Sequence, residues 1–238
     1  MPVGVGGDSA IGSLLGTTIR RTLSVGWRYL AIGTVFSLVL SLGLLASAHP
    51  SVAFTKTFPL EIPLFAALGS MGGLMTFTSD RTKGVFEYLI AYGIRPRALF
   101  ANGLLSTAAM ASIILGLSLL VGLGAATYRG VSFDFDFIQS IALYTVPMTY
   151  ASSLFVATVG MIWSSISTPR MGMNSPVGLA PMFGVGPSIL VLIAAETAPA
   201  ADFYYITTGV AFAIVAVVVV MLALSAQLMG RERFLSPL

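Results

Sequence analysis

Apolar and polar positions along this chain separate on the scale of whole helices rather than single helical turns. Six stretches contain no Asp, Glu, Lys or Arg: Tyr29–Thr55, Ile62–Ser79, Ala98–Tyr128, Phe137–Pro169, Met171–Ala195 and Phe203–Gly230. A helix needs about 20 predominantly apolar residues to cross the hydrocarbon core of a bilayer. Each stretch has room for one crossing, and none has room for two joined by a turn. They predict six transmembrane helices near 29–47, 61–79, 99–126, 139–164, 176–195 and 204–229. The expected fold is an all-α polytopic membrane protein, with residues 1–238 forming a single transmembrane domain.

Two further segments show helical periodicity with polar faces. In residues 10–28, Ser13, Thr17, Arg20, Arg21, Ser24 and Arg28 fall on one side, while Ile11, Leu14, Leu15, Ile19 and Trp27 fall largely on the other. Arginines on a polar face and an aromatic on the apolar face suit the headgroup boundary. This predicts an interfacial helix anchored by Arg20, Arg21, Trp27 and Arg28. The second segment is Ser79–Phe100. Asp80 is placed to cap a helix, Val85, Phe86, Leu89 and Ile90 make an apolar stripe, and Lys83 and Glu87 lie opposite. Gly93 is a natural C-terminal stop and Pro96 prevents continuation. The prediction is a short helix over about 80–92, in the headgroup plane between spans two and three.

Composition sharpens this picture. Only 21 of 238 residues are charged, 12 basic and 9 acidic, against roughly 25% in ordinary soluble domains. So few charges cannot cover a water-exposed surface, which excludes a soluble enzyme. There is no cysteine, which excludes disulfides, iron–sulfur clusters and thiol chemistry. The single histidine, His49, excludes a multi-histidine metal or haem site within one chain. The net charge of +3 reads as topology rather than as a nucleic-acid signal. With both termini inside, Arg20, Arg21, Arg28, Arg81, Lys83, Arg95, Arg97, Arg170, Arg231 and Arg233 are cytoplasmic, and only Lys56 and Arg129 are outside. The first residues lack the charged and apolar regions of a signal peptide, so the first span is expected to serve as the insertion signal.

The segment between spans two and three resembles the permease subunits of the ABC-2 family of ATP-binding-cassette transporters. The resemblance rests on Asp80, Gly84 and Glu87 within D-R-T-K-G-V-F-E-Y-L-I, followed by Arg95 and Arg97 before span three. One departure is Gly93, which stands near where the family commonly has Pro. At the level of architecture the resemblance covers nearly the whole chain. It implies a coupling helix seated in a cleft of a separate ATPase chain, with Asp80, Arg81, Gly84, Phe86, Glu87 and Tyr88 as the coupling residues. It also implies two permease copies or paralogues, two ATPase partners, and residence in the cell membrane of a prokaryote. The chain has no G-x-x-x-x-G-K-[ST] phosphate loop. No cofactor is therefore expected in this chain, and ATP and Mg2+ belong to the partner. A haem-exporter B-like permease of cytochrome c maturation, or a membrane scaffold without a substrate of its own, are the alternatives.

Within the predicted spans, ionisable residues are functional suspects by default. Glu61 and Glu196 are expected at the outer ends of spans two and five, within reach of headgroups or water. No Ser–His pair, Asp pair or metal set falls inside the spans, which speaks against an intramembrane protease. The hydroxyl residues Thr34, Ser37, Ser41, Ser106, Thr107, Ser112, Thr149, Ser152, Ser153 and Thr158, with glycines such as Gly69, Gly72 and Gly73, read as helix-packing positions. The segment His49–Leu60, with Pro50 and Pro59, reads as an external loop. So does Thr127–Phe137, whose alternating FDFDF reads as an interfacial aromatic belt. Pro176, Pro181, Gly184, Gly186 and Pro187 crowd the first half of span five and predict a broken or kinked helix at a gate or dimer interface, with Glu196 at its end.

Overall fold

The computed structural model describes residues 7–166, 176–197 and 203–228, and every element within them is helical. The order is α1 (Gly7–Leu45), α2 (Pro50–Gly69), α3 (Met71–Thr82), α4 (Val85–Ala91), α5 (Pro96–Tyr128), α6 (Phe135–Ser140), a π-helical turn (Ile141–Thr145), α7 (Val146–Ile166), α8 (Pro176–Thr197) and α9 (Phe203–Leu228). Among the described residues, five helical segments are long and apolar enough to cross a membrane: Gly16–Leu45, Pro50–Thr82, Pro96–Tyr128, Phe135–Ile162 and Phe203–Gln227. The chain is thus a polytopic helical membrane protein. The predicted fifth span coincides with α8, whose apolar stretch over described side chains is Gly186–Ala195.

Three boundaries differ from the sequence reading. The N-terminal amphipathic segment is not a separate element: it runs into the first span as one uninterrupted 39-residue helix. At 1.5 Å per residue this helix is roughly 58 Å long, well beyond the ~30 Å hydrocarbon core. Residues Ser51–Leu60 are not a loop either. Pro50 occupies the first turn of α2, where its missing N–H removes no helical bond. Pro59 and Pro63 then lie inside the helix. Pro63 cannot donate to the carbonyl of Pro59, and the hydroxyl of Thr145 donates to that oxygen instead, at 3.1 Å. Finally, α8 continues as one helix through Pro181, Gly184, Gly186 and Pro187, so the helix expected to be broken or kinked there is not broken.

The α2–α3 segment forms the centre. In its most apolar stretch 78% of residues are buried, against 17% for α9. It packs on α1, α7, α8 and α5. The outer helices show the pattern expected of a protein whose solvent is lipid. On α1 the buried side carries Thr22, Gly26, Gly33, Thr34, Ser37 and Ser41, while Val35, Phe36, Val39 and Leu42 point outward. Lipid gives no hydrophobic reward for burying Leu or Val, so small and hydroxyl residues take the contact face. A Cβ on Gly26 would lie 2.6 Å from the Cα of Gly72, and one on Gly33 would lie 2.9 Å from the Cα of Gly69. These two glycine pairs set the separation of α1 from α2–α3. Hydroxyls then bond across the closely packed helices: Ser37 with Ser118 at 2.9 Å and Ser152 with Ser188 at 3.0 Å.

The end opposite α4 is closed by aromatics. Phe54 stacks on Phe58 at 4.4 Å between ring centroids, and Phe133 stacks on Phe137 at 4.9 Å. Phe54 meets Phe137 at 6.3 Å. Asp134 caps α6 by accepting from the backbone N–H of Phe137 at 2.9 Å. The FDFDF stretch therefore turns Phe133 and Phe137 toward the bundle, while Phe135 stays 76% exposed.

Candidate functional site at the α4 end of the bundle

Among the described residues, polar side chains from distant parts of the chain meet at one end, where α1, α3, α4 and α5 converge. The local chain path explains why. α3 ends at Thr82, and Gly84 adopts a left-handed conformation, φ 70°, which reverses the chain before α4. A side chain at Gly84 would be strained there, and its Cβ would also meet the Glu87 carboxylate. At the other end of α4, the N–H of Ile94 bonds the carbonyl of Leu89 at 3.1 Å, and the N–H of Gly93 bonds that of Ile90 at 3.0 Å. Gly93 is left-handed, φ 89°. This is a Schellman closure, and it terminates the helix where Gly93 predicts. Pro96 then opens α5 in the favoured first turn.

The seven-residue α4 has two unlike faces. Phe86 and Ile90 are buried in a cluster with Phe77, Leu99 and Phe100, and Phe86 packs on Phe77 at 4.8 Å. Tyr88 and Tyr92 point away, 61% and 73% exposed, with ring centroids 4.6 Å apart. A side-chain hydrogen bond with Tyr92 pushes the Tyr88 phenol above its ordinary pKa.

The six coupling residues named from sequence do not share one surface. Asp80 and Arg81 sit in the last turn of α3, not on α4, and both are buried. Phe86 is buried as well, so it anchors α4 to the bundle and is not free to anchor a partner. Gly84 is the turn. Glu87 is half-buried, and its negative charge acts on Arg81. Only Tyr88 is fully outward. Asp80 has instead an intramolecular partner, Arg21 of α1, at 2.5 Å. The other named anchors lie on the lipid-facing side of α1: Arg20, Trp27 and Arg28 are exposed, and the Arg28 guanidinium stands 5.9 Å from the Trp27 ring centre.

Two residues of the site went unnoticed in the sequence. Asn102 of α5 donates to Thr18 of α1 at 2.7 Å, tying α5 to α1 one turn from Arg21, which the ion pair ties to α3. An amide inside a predicted span is an uncommon residue type there, and that was the available signal. Around these groups lies a cavity of about 360 Å³, lined by Arg21, Asp80, Thr76, Phe77, Asn102 and Ser106 among others.

A second polar centre lies deeper. Glu61 is 3% exposed, inside α2 rather than at its outer end. The expectation of an exposed position fails because the helix begins eleven residues earlier, at Pro50. One carboxylate oxygen accepts from the Ser41 hydroxyl at 2.5 Å, and the other has no hydrogen-bond partner. The Ser37 carbonyl lies 2.7 Å from the same Ser41 hydroxyl, so the one hydroxyl proton is shared between two acceptors.

The gate or interface residues are only partly placed. Pro187 is buried and Gly186 half-buried in α8. The side chains of Pro181, Gly184 and Glu196 lie outside the described residues, as do residues 167–175, 198–202 and 229–238 with the predicted basic tail. No group of three or more His, Cys, Asp or Glu suited to a metal occurs among the described residues. No family model, curated protein or solved structure matches this chain.

Proposed function

We propose that this chain is the membrane-spanning permease subunit of an ATP-binding-cassette transporter of the ABC-2 type. In this reading α8 supplies a sixth crossing, and α4 is the coupling helix on which a separate ATPase chain docks. ATP and Mg2+ are bound by that partner, and hydrolysis there drives substrate through a permease pair. The excess of Lys and Arg expected at the α4 end supports a cytoplasmic position for that end and for both termini in this reading.

The observation that carries the reading is the two-faced α4. A short helix outside the spans is locked onto the bundle by Phe86 and Ile90, yet presents Tyr88 and Tyr92 outward. Exposed tyrosines on a rigid support are a favoured kind of binding anchor, large in contact area and amphipathic. The outward Ile189, Leu190 and Ile193 of α8 suit contact with lipid or with a second permease.

Tyr88 is a cleaner probe than Glu87, because changing Glu87 also disturbs Arg81. The test is purification of the full chain from its native membrane, followed by identification of any co-purifying chain that carries a phosphate-loop ATPase motif. Tyr88→Asp is expected to leave the membrane protein monodisperse and to cut recovery of the ATPase by about tenfold, the loss of one hot-spot contact. Failure of any ATPase to co-purify with the wild-type chain refutes the reading. Equal recovery with Tyr88→Asp refutes the role of α4.

A further inference from the structure

The cavity between α1, α3, α4 and α5 has the chemistry and the depth of a lipid-headgroup site. We infer that it binds a membrane phospholipid through its phosphate, held by Arg21, with the start of an acyl chain on the apolar floor. The assignment does not depend on what docks against α4.

The position comes first. The cavity is lined by the opening residues of the span Gly16–Leu45, the closing residues of Pro50–Thr82 and the opening residues of Pro96–Tyr128. Three spans therefore reach this level at the same end, which is where the headgroups of one leaflet lie. The volume of about 360 Å³ falls at the lower end of small-molecule sites, which run from about 300 to 1,000 Å³. That suits a headgroup and not a whole two-chain lipid.

The charges come next. Arg21 gives one edge of its guanidinium to Asp80 and remains 39% exposed. An arginine has five N–H donors in a planar fork, so the ion pair fixes the plane of the group and leaves donors for a second anion. Phosphate is the anion that such a fork matches. Asp80 is also in the field of Lys83, so Asp80 faces two cations, and local charge still favours an anionic group. The other polar lining groups carry no charge. The hydroxyls of Thr76 and Ser106 donate to carbonyls of their own helices at 2.9 Å, which leaves their oxygens as acceptors for a headgroup hydroxyl and leaves the phosphate itself to Arg21. Phe77, Phe86 and Leu99 supply the apolar floor.

The experiment is native mass spectrometry of the full chain in detergent, titrated separately with phosphatidylglycerol, with diacylglycerol of the same chains, and with glycerol 3-phosphate. Phosphatidylglycerol is expected to form a one-to-one adduct that diacylglycerol does not, because only the former carries the phosphate. Arg21→Gln should reduce the adduct by about tenfold, the scale of one charge-assisted contact. Thr76→Leu keeps Arg21 and Asp80 and fills part of the cavity. It should reduce the adduct severalfold, and it decides the matter if Arg21→Gln does not fold. Equal adducts from diacylglycerol, or unchanged adducts in folded Arg21→Gln or Thr76→Leu, overturn the inference. Binding of glycerol 3-phosphate as strong as that of the lipid also overturns it, and assigns the cavity to a soluble phosphate ester.

Discussion

Asp80 and Glu61 are both acidic, both buried, and both on the central α2–α3 segment, yet their surroundings are opposite in kind. Asp80 lies at the end of the bundle, meets Arg21 at 2.5 Å, and borders a cavity. Glu61 lies some nineteen residues earlier, roughly 28 Å along the helix axis at 1.5 Å per residue. Its partner is a serine, and one of its oxygens has no hydrogen bond. Where a bundle meets headgroups, a cation on a long side chain can reach an acid at modest desolvation cost. Deeper in the bundle, hydroxyls replace charges, because a serine gives a hydrogen bond without bringing a second ion out of water. The pair therefore separates two uses of a buried acid: joining helices through charge at the rim, and through hydroxyl contacts within.

Both centres depend on how closely α1 approaches. Gly26 lies against Gly72, and Gly33 against Gly69. The first contact brings Arg21 to Asp80, and the second precedes Ser37 and Ser41 on the same face. The largest expected effect is thus from Gly72→Leu, which removes both centres at once. Its Cβ would meet the Gly26 backbone at 2.9 Å and the Met110 methyl at 2.8 Å. Backbone cannot move aside as a side chain can, so the loss should exceed the usual ~1–3 kcal/mol of overpacking. It would be read as loss of a monodisperse peak and a lowered melting temperature in detergent. Wild-type melting would show that α1 is not held by these contacts.

Next in size is the rim pair. Arg21→Gln leaves Asp80 buried without its cation and should cost about 1–3 kcal/mol, the penalty of an orphaned buried polar group. Adding Asp80→Asn should recover part of that loss, since the double variant has no buried charge. A thermal-denaturation cycle of the two singles and the double measures the coupling. Strict additivity would mean that the ion pair adds no stability.

The sequence made the helices legible because hydropathy reports them directly: charge-free stretches predicted all five described crossings and coincide with α8. Gly93 and Pro96 fixed the end of α4 and the start of α5 through backbone rules that act locally, while the start expected near Asp80 falls inside α3. What failed was local in another sense. Pro50 and Pro59 suggested a loop, but the cost of Pro63 is met by Thr145, eighty-two residues away in sequence, and no nearby residue announces that bond. The same distance hid the pairing of Arg21 with Asp80 and of Asn102 with Thr18. The amphipathic stripe of α4 was visible, but its direction was not. Phe86 and Tyr88 look alike as aromatics two positions apart, and only packing on Phe77 decides which one faces inward.

The smallest effect belongs to the deeper acid, and it sharpens the comparison most. Glu61→Gln keeps an acceptor oxygen for the Ser41 hydroxyl and introduces no new volume. Glu61→Leu keeps the volume and removes the acceptor. If the hydroxyl contact is what Glu61 contributes to packing, Gln should be tolerated within about 0.5 kcal/mol, the range of a substitution that breaks no such feature. Leu should then cost about 1 kcal/mol, the net worth of one hydrogen bond, since Ser41 still has the Ser37 carbonyl as partner. Melting temperatures of the two variants in one detergent decide between these outcomes. A larger loss for Gln than for Leu would show that the carboxyl, not the hydrogen bond, matters at this depth. Glu61 would then be a second charged centre, and the contrast with Asp80 would collapse.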